Sequence, residues 1–208
     1  MADPSASERA YQRLKSDIQS GALLAGPLDI RTLGDRLRMS VTPVREALAR
    51  LSAERLIEFA PHQGYTVASL SARRLENLYE LSGFLIDLGI ERGNHSRRAR
   101  AAKPSSRQPP TGYANALAWL AGEIARAQPN LELSDQIVAL DSRLYSTRRC
   151  EPLIFEDAVE QADVLIQLWA QRRFSDLRTN FRAHFAARMD RAEAIARLFA
   201  EGANERGC

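Results

Sequence analysis

From Tyr11 to Leu51 the apolar residues recur at three- and four-residue spacing, and from Leu56 to Val67 they alternate with polar ones. The first spacing keeps one face of a helix apolar and the second keeps one face of a strand apolar, so helices followed by a hairpin are expected. Ser5 and Glu8 stand at capping-box spacing ahead of Tyr11, Leu14 and Ile18, which predicts a helix over residues 7–20 ended by Gly21. Gly26 and Pro27 make residues 22–29 a turn, and Ile30, Leu33 and Leu37 then mark a short second helix. A third helix is expected from Ser40, whose hydroxyl can accept from the unpaired amides of the first turn, to about Glu54, with Pro43 tolerated in that turn. Leu56-Ile57-Glu58-Phe59 and Tyr65-Thr66-Val67, on either side of Ala60-Pro61-His62-Gln63-Gly64, predict the hairpin. Three helices and a hairpin in this order describe a winged helix-turn-helix.

The third helix has an unusual outer face. Val44, Ala47, Leu48 and Leu51 share one side, and Thr42, Arg45 and Ala49 share the other. In a chain with 26% charged residues, a solvated helix face normally carries several long charged groups. Short side chains around one arginine suit a major groove, where the backbone approaches base edges and the arginine reaches further. The competing reading of Arg45 is a solvated arginine that pairs with Glu46. The hairpin tip, His62-Gln63-Gly64, is small and polar enough to meet a phosphate or a minor groove.

Residues 71–208 read as helical throughout. Ser71 caps a helix in which Leu75, Leu78, Tyr79, Ile86 and Ile90 recur, and further helices are expected at about 113–127, 134–147, 152–173 and 176–202. Their bounds are Gly112, Pro129, Pro152 and Ser175. Residues 92–112 hold Arg97, Arg98, Arg100, Lys103 and Arg107 among serines and three prolines, which predicts a mobile, solvated basic loop. The fold class is therefore mainly α: a winged helix-turn-helix domain over residues 1–70, then an all-α helical bundle over 71–208.

With 208 residues and 45% hydrophobic content, the chain can bury two modest cores. Its net charge of +3 is too small for a protein that coats DNA without sequence preference, although an architectural or non-specific DNA binder stays as the alternative. All but Lys15 and Lys103 of the 29 basic residues are arginine, whose planar fork suits phosphates and guanine edges; a GC-rich genome produces the same bias. Cys150 and Cys208, read as free thiols, exclude a disulfide framework and a cysteine-built zinc site. No long apolar run and no secretory start is present, so a cytoplasmic protein with no membrane partner is expected. An enzyme is disfavoured, because no glycine-rich phosphate loop or nucleophile elbow occurs and three scattered histidines supply little acid–base chemistry.

Leu33-Gly34-Asp35-Arg36-Leu37, the run Ser40-Val41-Thr42-Pro43-Val44-Arg45-Glu46-Ala47-Leu48-Ala49-Arg50-Leu51, Leu56-Ile57 and Gly64-Tyr65-Thr66-Val67 together resemble the GntR family of bacterial regulators over about residues 8 to 70. The resemblance implies DNA contacts from Arg31, Ser40, Thr42, Arg45, His62 and Gly64. Many members carry an arginine where this chain has Val41, so a contact there is lost or replaced by an apolar contact to a thymine methyl. The second half resembles the FadR-like subfamily in helix order and length. That likeness implies a homodimeric repressor on palindromic double-stranded operator DNA, controlled by a small organic-acid effector.

In that subfamily an aspartate, a histidine one turn later and two later histidines hold a metal. Here Asp141 keeps the aspartate's place, Tyr145 stands in the histidine's, and His184 is the remaining later candidate, while His95 matches nothing. Asp141, Tyr145 and His184 are thus candidate ligand-binding groups, and no metal cofactor is expected, a divalent ion being possible but not favoured. Carboxylates between Glu156 and Asp163 would have to complete a metal site. Without a metal, the effector's carboxylate would fall to Arg143, Arg148 or Arg182.

Overall fold

The computed structural model of the chain describes residues 4–23, 26–67, 70–95 and 109–205. The chain divides into two compact units, one built on residues up to Leu70 and the other on Ser71–Phe199.

In the first unit, helix α1 spans Ala6–Gln19, with Ser5 Oγ accepting from the Glu8 amide at 3.1 Å and Gly21 turning the chain at φ 74°. Strand β1 (Gly26–Leu28) leads into helix α2 (Ile30–Leu37), whose cap is Asp29, accepting from the Thr32 amide at 2.7 Å. Helix α3 covers Val41–Ala53 and buries Val44, Ala47, Leu48 and Leu51, in a core shared with Ala10, Tyr11, Leu14 and Leu33. Strands β2 (Ile57–Ala60) and β3 (Gly64–Val67) form the wing. The turn between α2 and α3 is sharp: Arg38 takes a left-handed conformation and the Met39 amide donates back to Gly34 O at 2.9 Å. A Cβ on Gly34 would stand 3.0 Å from that Met39 carbonyl's oxygen, so only glycine allows this approach without a shift.

Two sequence expectations are corrected here. Gly26–Leu28, read as part of a turn, is a strand at the sheet edge, antiparallel to β3 with Pro27 opposite Thr66, giving the order β1-β3-β2. Glycine and proline are turn formers by local preference, and an edge position is where a strand tolerates a proline that lacks an N–H. Ser40 occupies the cap position of α3, but its side chain makes no cap hydrogen bond. A cap oxygen accepts from the second or third helical amide, and the third helical residue is Pro43, which has none.

The second unit consists of α4 (Ala72–His95), α5 (Tyr113–Arg126), α6 (Leu131–Arg148), a 3-10 turn at Glu151–Leu153, α7 (Ala158–Ala170) and α8 (Phe174–Asp190), followed by α9 (Ala192–Glu205). Ser71 caps α4 as expected, accepting from the Arg74 amide at 3.2 Å. Leu75, Leu78, Tyr79, Ile86 and Ile90 are its buried face. Helix α6 starts three residues before the expected 134, because Asn130 caps it by accepting from the Leu133 amide. The expected helix over 152–173 is instead a 3-10 turn around Pro152 and then α7, and the expected 176–202 helix is broken at Arg191 into α8 and α9. No glycine or proline marks that second break. Of the expected basic loop at 92–112, helix α4 takes the first residues; 96–108, the His95 side chain and Cys208 lie outside the described residues. Cys150 is buried as a thiol.

Helices α4 and α8 are joined by Asp87. Its carboxylate accepts paired hydrogen bonds from Arg178 (3.0 and 2.8 Å) and from Arg182 (3.0 and 2.9 Å). The Arg178 hydrogen bonds, outweighing burial and helped by Arg182, hold the Asp87 pKa down to about 2. A depressed carboxylate contributes stability above its unfolded pKa of about 4, and that contribution is lost as pH falls through the folded value. Asp87→Asn is therefore expected to cost about 1 kcal/mol at neutral pH. It should also flatten the decline of melting temperature between about pH 4 and 2. Parallel declines in variant and parent would remove this ion pair from the stability of the bundle.

Candidate nucleic-acid interface and effector cleft

The outward side of α3 is open. Thr42, Arg45 and Ala49 are exposed, as is Val41 at its start, while the opposite side of the same helix is buried. Arg45 has no ion pair among the described residues, and Glu46, its competing partner, accepts instead from the Ser7 hydroxyl. Ser40 is exposed with its hydroxyl unused by the helix. On the wing, His62 is exposed in a left-handed conformation (φ 65°), Gly64 follows at φ 80°, and Gln63 closes the turn by donating to Ala60 O at 3.1 Å. The contact between Phe59 and Tyr65, at 4.9 Å between ring centres, braces the hairpin. Arg31 is exposed in the first turn of α2, beside the capping Asp29.

Several other cations of this unit are ion-paired. Arg36 pairs with Asp17 at 2.5 Å, Lys15 with Glu54 at 2.8 Å, and Arg50 with Glu8 at 2.7 Å while stacking 3.6 Å over the Tyr11 ring. Arg38, which sequence reasoning passed over, is exposed at the left-handed turn between α2 and α3, with no ion pair among the described residues. Its signal was an arginine in the turn of a helix-turn-helix, where an unpaired cation is well placed for a phosphate.

Among the described residues no hydrogen bond or ion pair joins Asp141, Tyr145 and His184 to one another. The Asp141 carboxylate is ion-paired with Arg148, and the Tyr145 hydroxyl donates to Asn115 Oδ1. His184, on α8, is buried with its Nδ1 unpartnered. Burial, followed by the charges of Arg188 and Arg148, holds its pKa well below the usual histidine range, so the ring is neutral. These residues do not fit a transition metal, since the carboxylate is engaged by a guanidinium, a phenol stands where an imidazole is needed, and one histidine remains. Among the described residues no group of three or more His, Cys, Asp or Glu side chains could hold a metal ion. Arg148, offered as a carboxylate holder, is occupied by Asp141, Arg182 is occupied by Asp87, and Arg143 is also engaged.

What sequence reasoning missed is a buried network centred on Glu151. Glu151 and Arg188, both fully buried, are paired at 3.0 Å. Tyr79 donates to Glu151 Oε1 at 2.7 Å and Tyr113 to Oε2; Arg188 donates onward to Tyr113 at 2.9 Å and to Gln161 at 2.8 Å. Burial and the neighbouring carboxylate raise both phenol pKa values, so the hydroxyls stay protonated as donors. Beside the network a cleft of about 450 Å³ opens between α7 and α8, lined among others by Gln161, His184 and Arg188.

Three helices with a three-stranded wing, packed on one core, define the first unit as a winged helix-turn-helix. Residues 6–67 match the family of bacterial regulatory proteins called gntR. The first unit is therefore a GntR-family DNA-binding domain.

The chain is 39% identical over 83 residues to the HTH-type transcriptional regulator McbR of Escherichia coli (strain K12), a stretch covering 38% of each chain. It is 36% identical over 88 residues to the HTH-type transcriptional repressor GlaR of the same strain, covering 40% of each. The matched stretch thus spans about two fifths of these curated relatives. In fold, the chain is similar to the solved structure of E. coli McbR/YncC, with a TM-score of 0.59 at 23% identity over 94% of this chain and 99% of that one. It is similar also to a putative GntR regulator from Rhodococcus sp. RHA1, with a TM-score of 0.63 at 15% identity over 91% and 98%.

Proposed function

We propose that the chain is a sequence-specific transcriptional regulator that binds double-stranded operator DNA through α3 and the wing, and whose affinity is set by a small molecule held in the second unit. The observation that carries this reading is the outer face of α3, where small side chains surround an unpaired Arg45 on a GntR-family domain. Arg31, Ser40, Thr42, Arg45, His62 and Gly64 are the proposed contacts, with Arg38 added for the phosphate backbone. Repression is supported by the similarity to GlaR, a transcriptional repressor. Such a regulator works in the cytoplasm, and no helix among the described residues is long and apolar enough to cross a membrane. An organic acid, the effector class implied by the family resemblance, finds less support, because Arg148 and Arg188 already hold carboxylates of the chain itself.

A homodimer on a palindromic site completes the reading. Along α4, Leu81 and Phe84 are exposed at 47% and 66%, and Leu85 and Leu88 beside them are half-buried, so the helix has a second apolar stripe besides its core face. Two copies of α4 crossing antiparallel about Phe84 and Leu85 would set Leu81 against Leu88 of the partner, a self-complementary contact of the kind a two-fold dimer requires. Effector binding then favours one arrangement of the dimer and shifts the spacing of the two recognition helices against the half-sites.

Selection of bound genomic fragments, followed by gel shift, tests this. A palindromic element that excess bulk DNA does not displace is the expected result, and Phe84→Glu should halve the mass in light scattering and lose the palindrome while keeping its fold. Equal competition by bulk DNA would favour the architectural alternative.

A further inference from the structure

The cleft between α7 and α8 has a polarity that identifies its ligand. Its floor carries His184, 94% buried, whose Nδ1 meets no hydrogen-bonding partner. Leaving such a group unpaired costs free energy that an incoming polar group would recover. Its wall is apolar where Val164, Leu165 and Ala183 face it. Its mouth carries Asp157 and Glu160, both exposed. The one cation that lines the cleft, Arg188, is already balanced by Glu151 at 3.0 Å and turns its remaining edge to Gln161. The cleft is therefore electronegative, with an unmet hydrogen bond at its base and two carboxylates at its rim.

We propose that this cleft binds a small aliphatic amine bearing a hydroxyl group, the ammonium between Asp157 and Glu160 and the hydroxyl on His184 Nδ1. A hydroxyl both donates and accepts, so it satisfies Nδ1 in either tautomer of the neutral ring. The ammonium supplies the positive charge that the rim lacks, and the methylenes between lie along the apolar wall. At about 450 Å³ the cleft is within the size range of small-molecule sites. A carboxylic acid would meet Asp157 and Glu160 on entry and would find no unpaired cation among the residues lining the cleft. This inference rests on the reading of the second unit as an effector domain and names the effector's chemistry.

Thermal melting of the full chain with ethanolamine and with 4-aminobutan-1-ol, against lactate and acetate at equal ionic strength, decides it. The expected result is a saturable rise in melting temperature with the amines and none with the acids. The pair Asp157→Asn and Glu160→Gln should weaken the amine response about tenfold. Ala183→Trp, at an exposed position on the wall, should abolish that response. Operator binding without ligand, measured on the same preparations, should be unchanged in all variants, so loss of DNA binding and loss of ligand binding are read separately. Stabilisation by the acids, no stabilisation by either amine, or an amine response unaltered in the charge variants would each overturn the assignment.

Discussion

Glu151→Ala is expected to destabilise the second unit by about 3–5 kcal/mol, the scale for stripping one partner from a buried ion pair. The loss exceeds that of an ordinary core truncation because Arg188, with no exposed surface, keeps its charge and loses its carboxylate. Tyr79 and Tyr113 lose their acceptor at the same time. Phe155, whose ring lies 4.2 Å from the guanidinium, offers partial cover and no counter-charge. Removing both charges behaves differently: Glu151→Leu with Arg188→Met should recover much of the loss, since a buried pair is often replaceable by apolar groups of similar size. Urea unfolding of the single and double variants gives the comparison. A cost below about 1 kcal/mol for Glu151→Ala would mean that water or another side chain reaches Arg188, and the network would not hold the bundle. Its members come from α4, α5, the 3-10 turn, α7 and α8, so the hydrogen bonds join five elements of the unit.

Arg45→Ala should lower affinity for the selected operator by about 1–3 kcal/mol, roughly five- to 150-fold, and leave melting unchanged. The side chain is exposed and unpaired, so its removal takes nothing from the fold. Binding to random DNA should fall much less, because a base-reading arginine supplies discrimination while phosphate contacts supply the common background. Ser40→Ala is a useful companion: its hydroxyl caps nothing in α3, so any loss of operator affinity it produces reports on DNA rather than on the helix. An equal loss on operator and random DNA for Arg45→Ala would reduce the residue to a phosphate contact, and no loss on either would remove it from the interface.

The local rules carried the first unit. Tyr11, Leu14 and Ile18, then Val44, Ala47, Leu48 and Leu51, are buried at the spacing that sets them on one helix face, and the alternation on either side of His62 is a hairpin. Such patterns are intrinsic to the chain, because side chains three or four apart on a helix, or two apart on a strand, share a face whatever surrounds them. The exposure of Arg45 follows from the same geometry. In the second unit the same rule found the buried face of α4, but missed the 3-10 turn that replaces the start of the expected 152–173 helix and the break at Arg191, where no residue type signals it.

Tertiary structure decided the rest. Gly26–Leu28 is a strand only because β3 offers its edge, and three residues rich in turn formers have no strand preference of their own. Glu151 and Arg188 lie 37 residues apart, and nothing in the period of either neighbourhood distinguishes a buried, paired charge from a solvated one. The sequence could name His184 and the carboxylates between Glu156 and Asp163 only as possible metal ligands; that Asp157, Glu160 and His184 line one cleft is decided by the packing of α7 against α8. Periodicity is a property of neighbours along the chain. Pairing, burial of charge and the shape of a cleft are properties of neighbours in space, which a single sequence does not name.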